Sequence, residues 1–260
     1  MPVLPTLFIS HGSPMLALSP GRTGQHLGSL ARRLPRPRAV LIASAHWLTP
    51  APTLGSATAP QTLHDFAGFP DTLYHQHYPA PGDPALAAEV VGRLADVGLE
   101  ATLDEHRGFD HGAWIPLQLM YPQADIPVCT LSLQPARSPA HHLALGRALA
   151  GLNRDRVLVI GSGSVTHNLG DLRPGALPAA YVRDFTDWID DALADSDIPA
   201  LLDYRQRAPH AVRAHPSDEH LLPLFVALGA AGAGCHSTRL HAGVDLGALA
   251  MDIYRFDAAA

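Results

Sequence analysis

Three histidines in this chain stand at, or a few residues beyond, the end of a short apolar run. His11 follows Thr6-Leu7-Phe8-Ile9-Ser10, and His46 follows Ala39-Val40-Leu41-Ile42-Ala43 through Ser44-Ala45. His167 follows Val157-Leu158-Val159-Ile160 through Gly161-Ser162-Gly163-Ser164-Val165-Thr166. Imidazole ligates transition metals and carries protons near neutral pH. If the runs are parallel strands, the residues beyond their carboxyl ends share one crevice, where open α/β sheets bind ligands. Three histidines gathered there suit a metal site or an acid–base cluster.

Two other clusters carry the same residue types. One is Phe109-Asp110-His111-Gly112-Ala113-Trp114, read as a loop. The other is His215-Pro216-Ser217-Asp218-Glu219-His220, ahead of the apolar run Leu221 to Val226. There Ser217 is read as a helix cap that places His220 in the first turn, with Pro223 limiting a regular helix before it. The spacing of His215 and His220 is not that of H-E-x-x-H, whose histidines share one helix face, so that protease class is disfavoured. Gly161-Ser162-Gly163-Ser164-Val165 is likewise not a G-x-S-x-G nucleophile turn. His26, His75, His77, His141, His142, His236 and His241 lie in polar or helical contexts and read as surface or core-edge residues. His64 is assigned to a loop.

The elements that must position these groups follow from periodicity. The three apolar runs, with a fourth over Ile126 to Leu131, read as buried strands. Leu86, Ala87, Val90, Val91, Leu94 and Val97 form one helical face, and Leu145, Leu149 and Leu152 another. Val182, Phe185, Trp188, Ile189 and Leu193 form a third. Alternating strands and helices predict an α/β fold, a single domain over residues 1–260 with a mostly parallel central sheet flanked by helices. Glu100 to Leu103 and Cys235 to Leu240 are candidate edge strands. A segment at about 49–84, rich in Pro, Gly, His and Tyr, has no clear period and reads as a functional loop or lid.

Composition narrows the classes. The chain has 260 residues, 47% hydrophobic and 16% charged, enough to bury a large core. All 18 basic residues are arginine, which excludes a lysine Schiff base and the lysine of a phosphate-binding loop. A net charge of -6 with scattered arginines argues against nucleic-acid binding. No apolar run reaches membrane-spanning length, and Met1-Pro2-Val3-Leu4-Pro5 lacks the basic start of a signal peptide. With only Cys129 and Cys235, a cytoplasmic location without disulfides is expected.

Five ordered motifs then resemble the 4,5-DOPA extradiol dioxygenase family, a branch of the class III extradiol ring-cleaving dioxygenases. They are His11-Gly12-Ser13-Pro14, Ser44-Ala45-His46-Trp47, Phe109-Asp110-His111-Gly112-Ala113-Trp114-Ile115-Pro116-Leu117, Thr166-His167-Asn168-Leu169, and His215-Pro216 through His220-Leu221. The likeness covers nearly the whole length. It implies a non-haem site that turns over with Fe(II) and can also hold Zn(II), acting on a catechol such as DOPA with O2. It implies His11 and His46 as ligands, with the third from the last motif, His220 preferred to His215. His167 is implied as the acid–base group and as a candidate fourth ligand, and His111 as the group that orients oxygen or substrate. His215 stands as a further candidate catalytic residue.

Glu219 or Asp110 as a carboxylate ligand is an open alternative, since the common Fe(II) triad holds two His and one carboxylate. Phe66, Phe69, Tyr74, Trp47 and Trp114 are candidates for an aromatic-binding pocket. The rival function is a zinc-dependent hydrolase, because three His with an open position also activate zinc-bound water. A metal-storage protein fits poorly, as the histidines are dispersed singly.

Overall fold

Both faces of the central strands are buried, which is why they read as continuous apolar runs. The computed structural model describes residues 3–259; Met1, Pro2 and Ala260 lie outside them. In chain order the elements are β1 Thr6–Ser10, α1 Gly21–Arg33, β2 Ala39–Leu48, β3 Thr53–Gly55, α2 Asp71–Tyr74, α3 Pro84–Ala95 and β4 Thr102–Asp104. Then follow α4 His111–Met120, β5 Val128–Leu133, α5 Pro139–Ala148, β6 Val157–Gly163, α6 Ala180–Ala194, α7 Ile198–Leu202 and α8 Tyr204–Arg207. The chain closes with α9 Ala211–Ala214, α10 Leu222–Ala231, β7 His236–His241, β8 Val244–Asp245, β9 Leu249–Ala250 and β10 Ile253–Asp257.

An eight-stranded sheet runs β4-β3-β5-β2-β6-β1-β10-β7. The four middle strands, β5, β2, β6 and β1, are mutually parallel, and antiparallel pairing enters at β3 and β10. The expected edges are both found, β4 at one side and β7 at the other. The short pair β8–β9 and strand β10 were not legible. Alternation along each strand feeds two layers. Leu7, Ile9, Val40, Ile42, Leu158 and Ile160 pack with Leu27 and Leu30 of α1 and Trp114 and Leu117 of α4. Leu41, Ala43, Val157 and Val159 face the other way, onto α3, α5 and α10, while Phe8 meets α6 and α10. Each buried Val, Leu, Ile or Phe among them contributes about 1.5–3 kcal/mol on full burial. Helix α10 is buried at all ten positions, a helix apolar all round that belongs in the interior.

Four sequence readings need correcting. The Phe109–Trp114 segment is not all loop: Asp110 accepts from the Ala113 N–H at 3.1 Å and starts α4 at His111. Ser217 caps no helix; α10 starts beyond His220, with Pro223 in the first turn, where its missing N–H is harmless. Helix α5 ends at Ala148, so Leu149 and Leu152 pack from the turns after it. His142 is no surface residue: it is fully buried, accepting at Nε2 from the Gln134 N–H and donating from Nδ1 to the Ser138 carbonyl.

The long loop is a pinned wall, not a free lid. Leu63 N–H donates to the Phe109 carbonyl and Phe109 N–H to that of Gln61. The buried Trp114 donates from Nε1 to the Leu63 carbonyl, and Tyr78 from its hydroxyl to the Tyr121 carbonyl. Among the described residues no helix is long and apolar enough to cross a membrane, and both cysteines are free.

Candidate metal centre

The strand register levels the functional residues. Ser162 of β6 pairs with Ile9 of β1 and with Ser44 of β2, so His11, His46 and the end of β6 share one rim. The β2–β5 ladder shifts between Ala43 and Leu48, and His46 lies in that irregular stretch, re-aimed from the pleat. Gly12 takes φ +67°, turning the chain directly after His11. His220 docks through its backbone: its carbonyl accepts from the Ser164 N–H at 2.8 Å and sits where a side chain on Gly163 would be.

Helix α4 supplies the next links. Asp110, fully buried, also accepts from Ser44 Oγ at 2.6 Å and from Arg107 Nη2 at 2.7 Å. That carboxylate is therefore consumed in holding β2 to α4. Pro116 lies inside α4 and has no N–H for the carbonyl four residues back. The freed acceptor, the Gly112 carbonyl, takes a hydrogen bond from Ser162 Oγ. With its proton spent there, Ser162 can only accept from His11 Nδ1, 3.1 Å away. His11 then holds its proton at Nδ1 and presents a lone pair at Nε2.

The same accounting fixes His220. Its Nδ1 lies 2.9 Å from Glu219 Oε1, so Nδ1–H donates to the carboxylate and Nε2 is left with a lone pair. His46 Nε2 stands 3.0 Å from His11 Nε2 and 3.2 Å from His220 Nε2. A proton on His46 could satisfy one neighbour only, so lone pairs remain facing one another in a buried site, which is costly unless a cation lies between them. Nitrogens about 2.1 Å from a shared centre stand about 3.0 Å apart at right angles and about 3.4 Å apart at the tetrahedral angle. The two spacings fall within that range, so the residues fit a metal ion. Burial pushes the pKa of His11 and His220 well down, and that of His46 to about 3, each helped by the neighbouring rings. All three are neutral at pH 7, the form that ligates.

His111 and His167 stand around this point in different ways. A ring nitrogen of His111 lies within 4.8 Å of ring nitrogens of His11 and His46. His111 Nδ1 is 3.0 Å from Asp65 Oδ1, which also accepts the His111 backbone N–H at 2.9 Å. The second oxygen of Asp65 is 3.7 Å from His46 Nδ1. Although burial opposes ionisation, the His111 hydrogen bonds bring the Asp65 pKa down to about 2. His167 is stacked on His220, ring centroids 3.3 Å apart and planes 9° from parallel. Two rings stacked face to face cannot both aim in-plane lone pairs at one atom. Burial lowers the His167 pKa to about 4.

His215 is held elsewhere, in the core. It is fully buried against Phe185 and Tyr204, and Nε2 donates to the Val165 carbonyl at 2.7 Å. The structure therefore brings together His11, His46, His111, His167 and His220 and leaves His215 outside. Of the aromatic candidates, Phe66 meets His111 edge-on at 5.7 Å and packs with Phe69 and Tyr74. Trp47 and Trp114 are core residues, Trp47 beneath the Arg107 guanidinium. Sequence reasoning missed Asp65 and Ser162. Asp65 adjoins His64, which drew attention for its type; Ser162 was weighed only as a nucleophile.

Comparison with known proteins gives concordant findings. Residues 5–246 match the family described as the catalytic LigB subunit of aromatic ring-opening dioxygenase. A Beta vulgaris protein named 4,5-DOPA dioxygenase extradiol is 42% identical over 258 residues, covering 96% of both chains. An Escherichia coli K12 protein of the same name is 37% identical, covering 95% of this chain and 93% of that one. The crystal structure of an uncharacterized Escherichia coli K12 protein superposes with a TM-score of 0.81 at 32% identity, covering 97% of this chain and 99% of that one.

Proposed function

Because the chain belongs to the family of the catalytic LigB subunit of aromatic ring-opening dioxygenases, we propose that it opens the ring of a catechol by extradiol cleavage with O2. One divalent metal would be held by His11, His46 and His220. The observation that carries this reading is the gathering of the buried His11 and His220 around the half-buried His46, whose Nε2 stands 3.0 and 3.2 Å from theirs, with the Nδ1 sides turned to Ser162, Asp65 and Glu219. The names of relatives from Beta vulgaris and Escherichia coli support DOPA as the first catechol to test.

Fe(II), when bound there, supplies a Lewis-acidic, redox-active centre open to catecholate oxygens and dioxygen. The chain's own groups do the rest. Phe66, Phe69 and Tyr74 offer an aromatic wall beside His111, against which a catechol ring packs. His167, stacked beside the ligands and not aimed at their common point, is free to take a phenolic proton at a ring nitrogen and return it during ring opening. His111, with Nδ1–H fixed by Asp65, orients substrate or oxygen through its other nitrogen. Asp110 and Glu219 act through hydrogen bonds, the first on Ser44 and Arg107 and the second on His220, which favours three His over a carboxylate ligand.

The test is anaerobic reconstitution with Fe(II), then oxygen uptake against a panel of catechols. Equimolar consumption of O2 and catechol with a yellow ring-opened product is expected. Ester or amide hydrolysis by the zinc form without oxygen uptake would overturn the reading.

A further inference from the structure

We infer that Asp65 is a positioning residue whose one carboxylate fixes two rings of the centre, His111 through Oδ1 and His46 through Oδ2. The inference rests on the metal-site reading above and adds to it a residue from the long loop. Oδ1 takes both donors of His111, the backbone N–H at 2.9 Å and Nδ1–H at 3.0 Å. Backbone and ring are thereby clamped to one atom, which fixes the ring's orientation on the first residue of α4. Oδ2 faces His46 Nδ1 at 3.7 Å, too far for a direct hydrogen bond but close enough for a negative charge to favour a proton on Nδ1. That proton placement keeps the His46 Nε2 lone pair aimed at His11 and His220.

Asp65 also ties substrate wall to metal site. It is followed by Phe66, whose ring stands edge-on to His111. The loop that carries both is anchored independently by Leu63, Gln61 and Tyr78, so removing the carboxylate leaves the loop in place. The two oxygens can therefore be separated by substitution. In Asp65→Asn the amide oxygen still accepts both His111 donors, but the NH2 group replaces the charge facing His46 and favours the tautomer with Nε2 protonated. In Asp65→Ala both functions go. Asp65→Glu restores the charge one methylene further out.

The experiment titrates Co(II) into metal-free protein, follows the visible ligand-field bands, and repeats affinities with Zn(II) against a chromophoric chelator. Loss of an outer partner of a metal-binding His typically weakens metal by about 10–100-fold. Asp65→Asn should show that loss and, saturated with Fe(II), a smaller fall in kcat on a catechol than Asp65→Ala shows. Asp65→Ala should lose affinity and also kcat, by about 10–100-fold with a smaller change in KM. Asp65→Glu should recover part of the affinity, and Asp71→Asn, at an exposed acid of the same segment that pairs with His75, should match wild type. Circular dichroism checks the fold; if Asp65→Ala does not fold, the isosteric Asp65→Asn decides alone. Wild-type affinity in Asp65→Asn overturns the inference while leaving the metal site standing. Absence of Co(II) and Zn(II) binding by the wild-type protein overturns the underlying reading instead.

Discussion

Replacing Ser162 by alanine tests the chain of hydrogen bonds behind His11, and Ser164 is its control. Both serines are buried at the end of β6, with 0% and 1% exposure. Ser162 joins the Gly112 carbonyl to His11 Nδ1–H, whereas the Ser164 hydroxyl donates to the Thr166 carbonyl, with that of Ala250 at 3.3 Å, and among the described residues has no hydrogen bond to a histidine ring. Each made bond contributes about 0.5–1.5 kcal/mol, and each stranded buried group costs about 1–3 kcal/mol. Ser162→Ala strands two groups, so about 2–6 kcal/mol of stability should be lost; Ser164→Ala, stranding one, should cost about 1–3 kcal/mol. Metal affinity separates them. Without its acceptor, the His11 proton is free to move to Nε2, and affinity should fall about 10–100-fold. That is about 1.4–2.7 kcal/mol of binding. Ser164→Ala should leave affinity within twofold of wild type. Zn(II) competition and urea unfolding of the metal-free proteins supply the two readouts. Equal affinity in both variants would refute the argument that Pro116, by freeing the Gly112 carbonyl, sets the tautomer of His11.

Other consequences are as specific. His167→Gln should keep its metal, measured by elemental analysis, while catechol turnover falls about 10²–10⁴-fold, the contribution of a positioned acid–base group; parallel loss of metal would make it a ligand. Gly163→Ala places a methyl on the His220 carbonyl, so it should cost about 1–3 kcal/mol and weaken metal binding; a variant as stable and as tight as wild type would contradict that close approach. His142 is held neutral by burial, its pKa lowered to about 4. Between pH 6.5 and 4 the unfolded chain binds the extra proton, so stability should fall by up to about 3 kcal/mol as pH drops through that window. His142→Gln should make that part of the pH profile of urea midpoints less steep, the remaining slope coming from the other buried histidines.

What could be read beforehand was whatever is encoded locally. His11 directly follows, and His46 closely follows, apolar runs whose two-faced burial leaves a plain signature, so the sheet, its parallel middle and the shared rim followed from short stretches. His111 and His220 were visible as residue types, but their geometry was not. Whether His215 or His220 faces the centre depends on where the chain crosses β6, and that is set by a backbone hydrogen bond between Ser164 and His220. Asp65 was hidden for a related reason: its partners are 46 residues ahead in α4 and in a bulged strand behind it, with no periodicity between. His142 misled because local partners, Ser138 and Gln134, satisfy both ring nitrogens and allow a polar residue into the core. Strand β10 pairs by alternation over only five residues, too short to stand out from a polar C-terminal stretch.

The place of β1 in the sheet also governs the order in which the molecule can be assembled. Leu7 pairs with Ile160 on one side and with Arg255 on the other. During synthesis at about 5–20 residues per second, the first partner emerges roughly 10–30 s after β1 does, and the second later still. Until then Leu7, Phe8 and Ile9 have no sheet to enter, and their closure spans nearly the whole chain, the kind of contact that slows folding. A nascent chain is thus exposed at β1 until β6 and β10 have been made, where a holdase would find it. His11, made before His46, His111, His167 and His220, must wait with β1 for its place beside them.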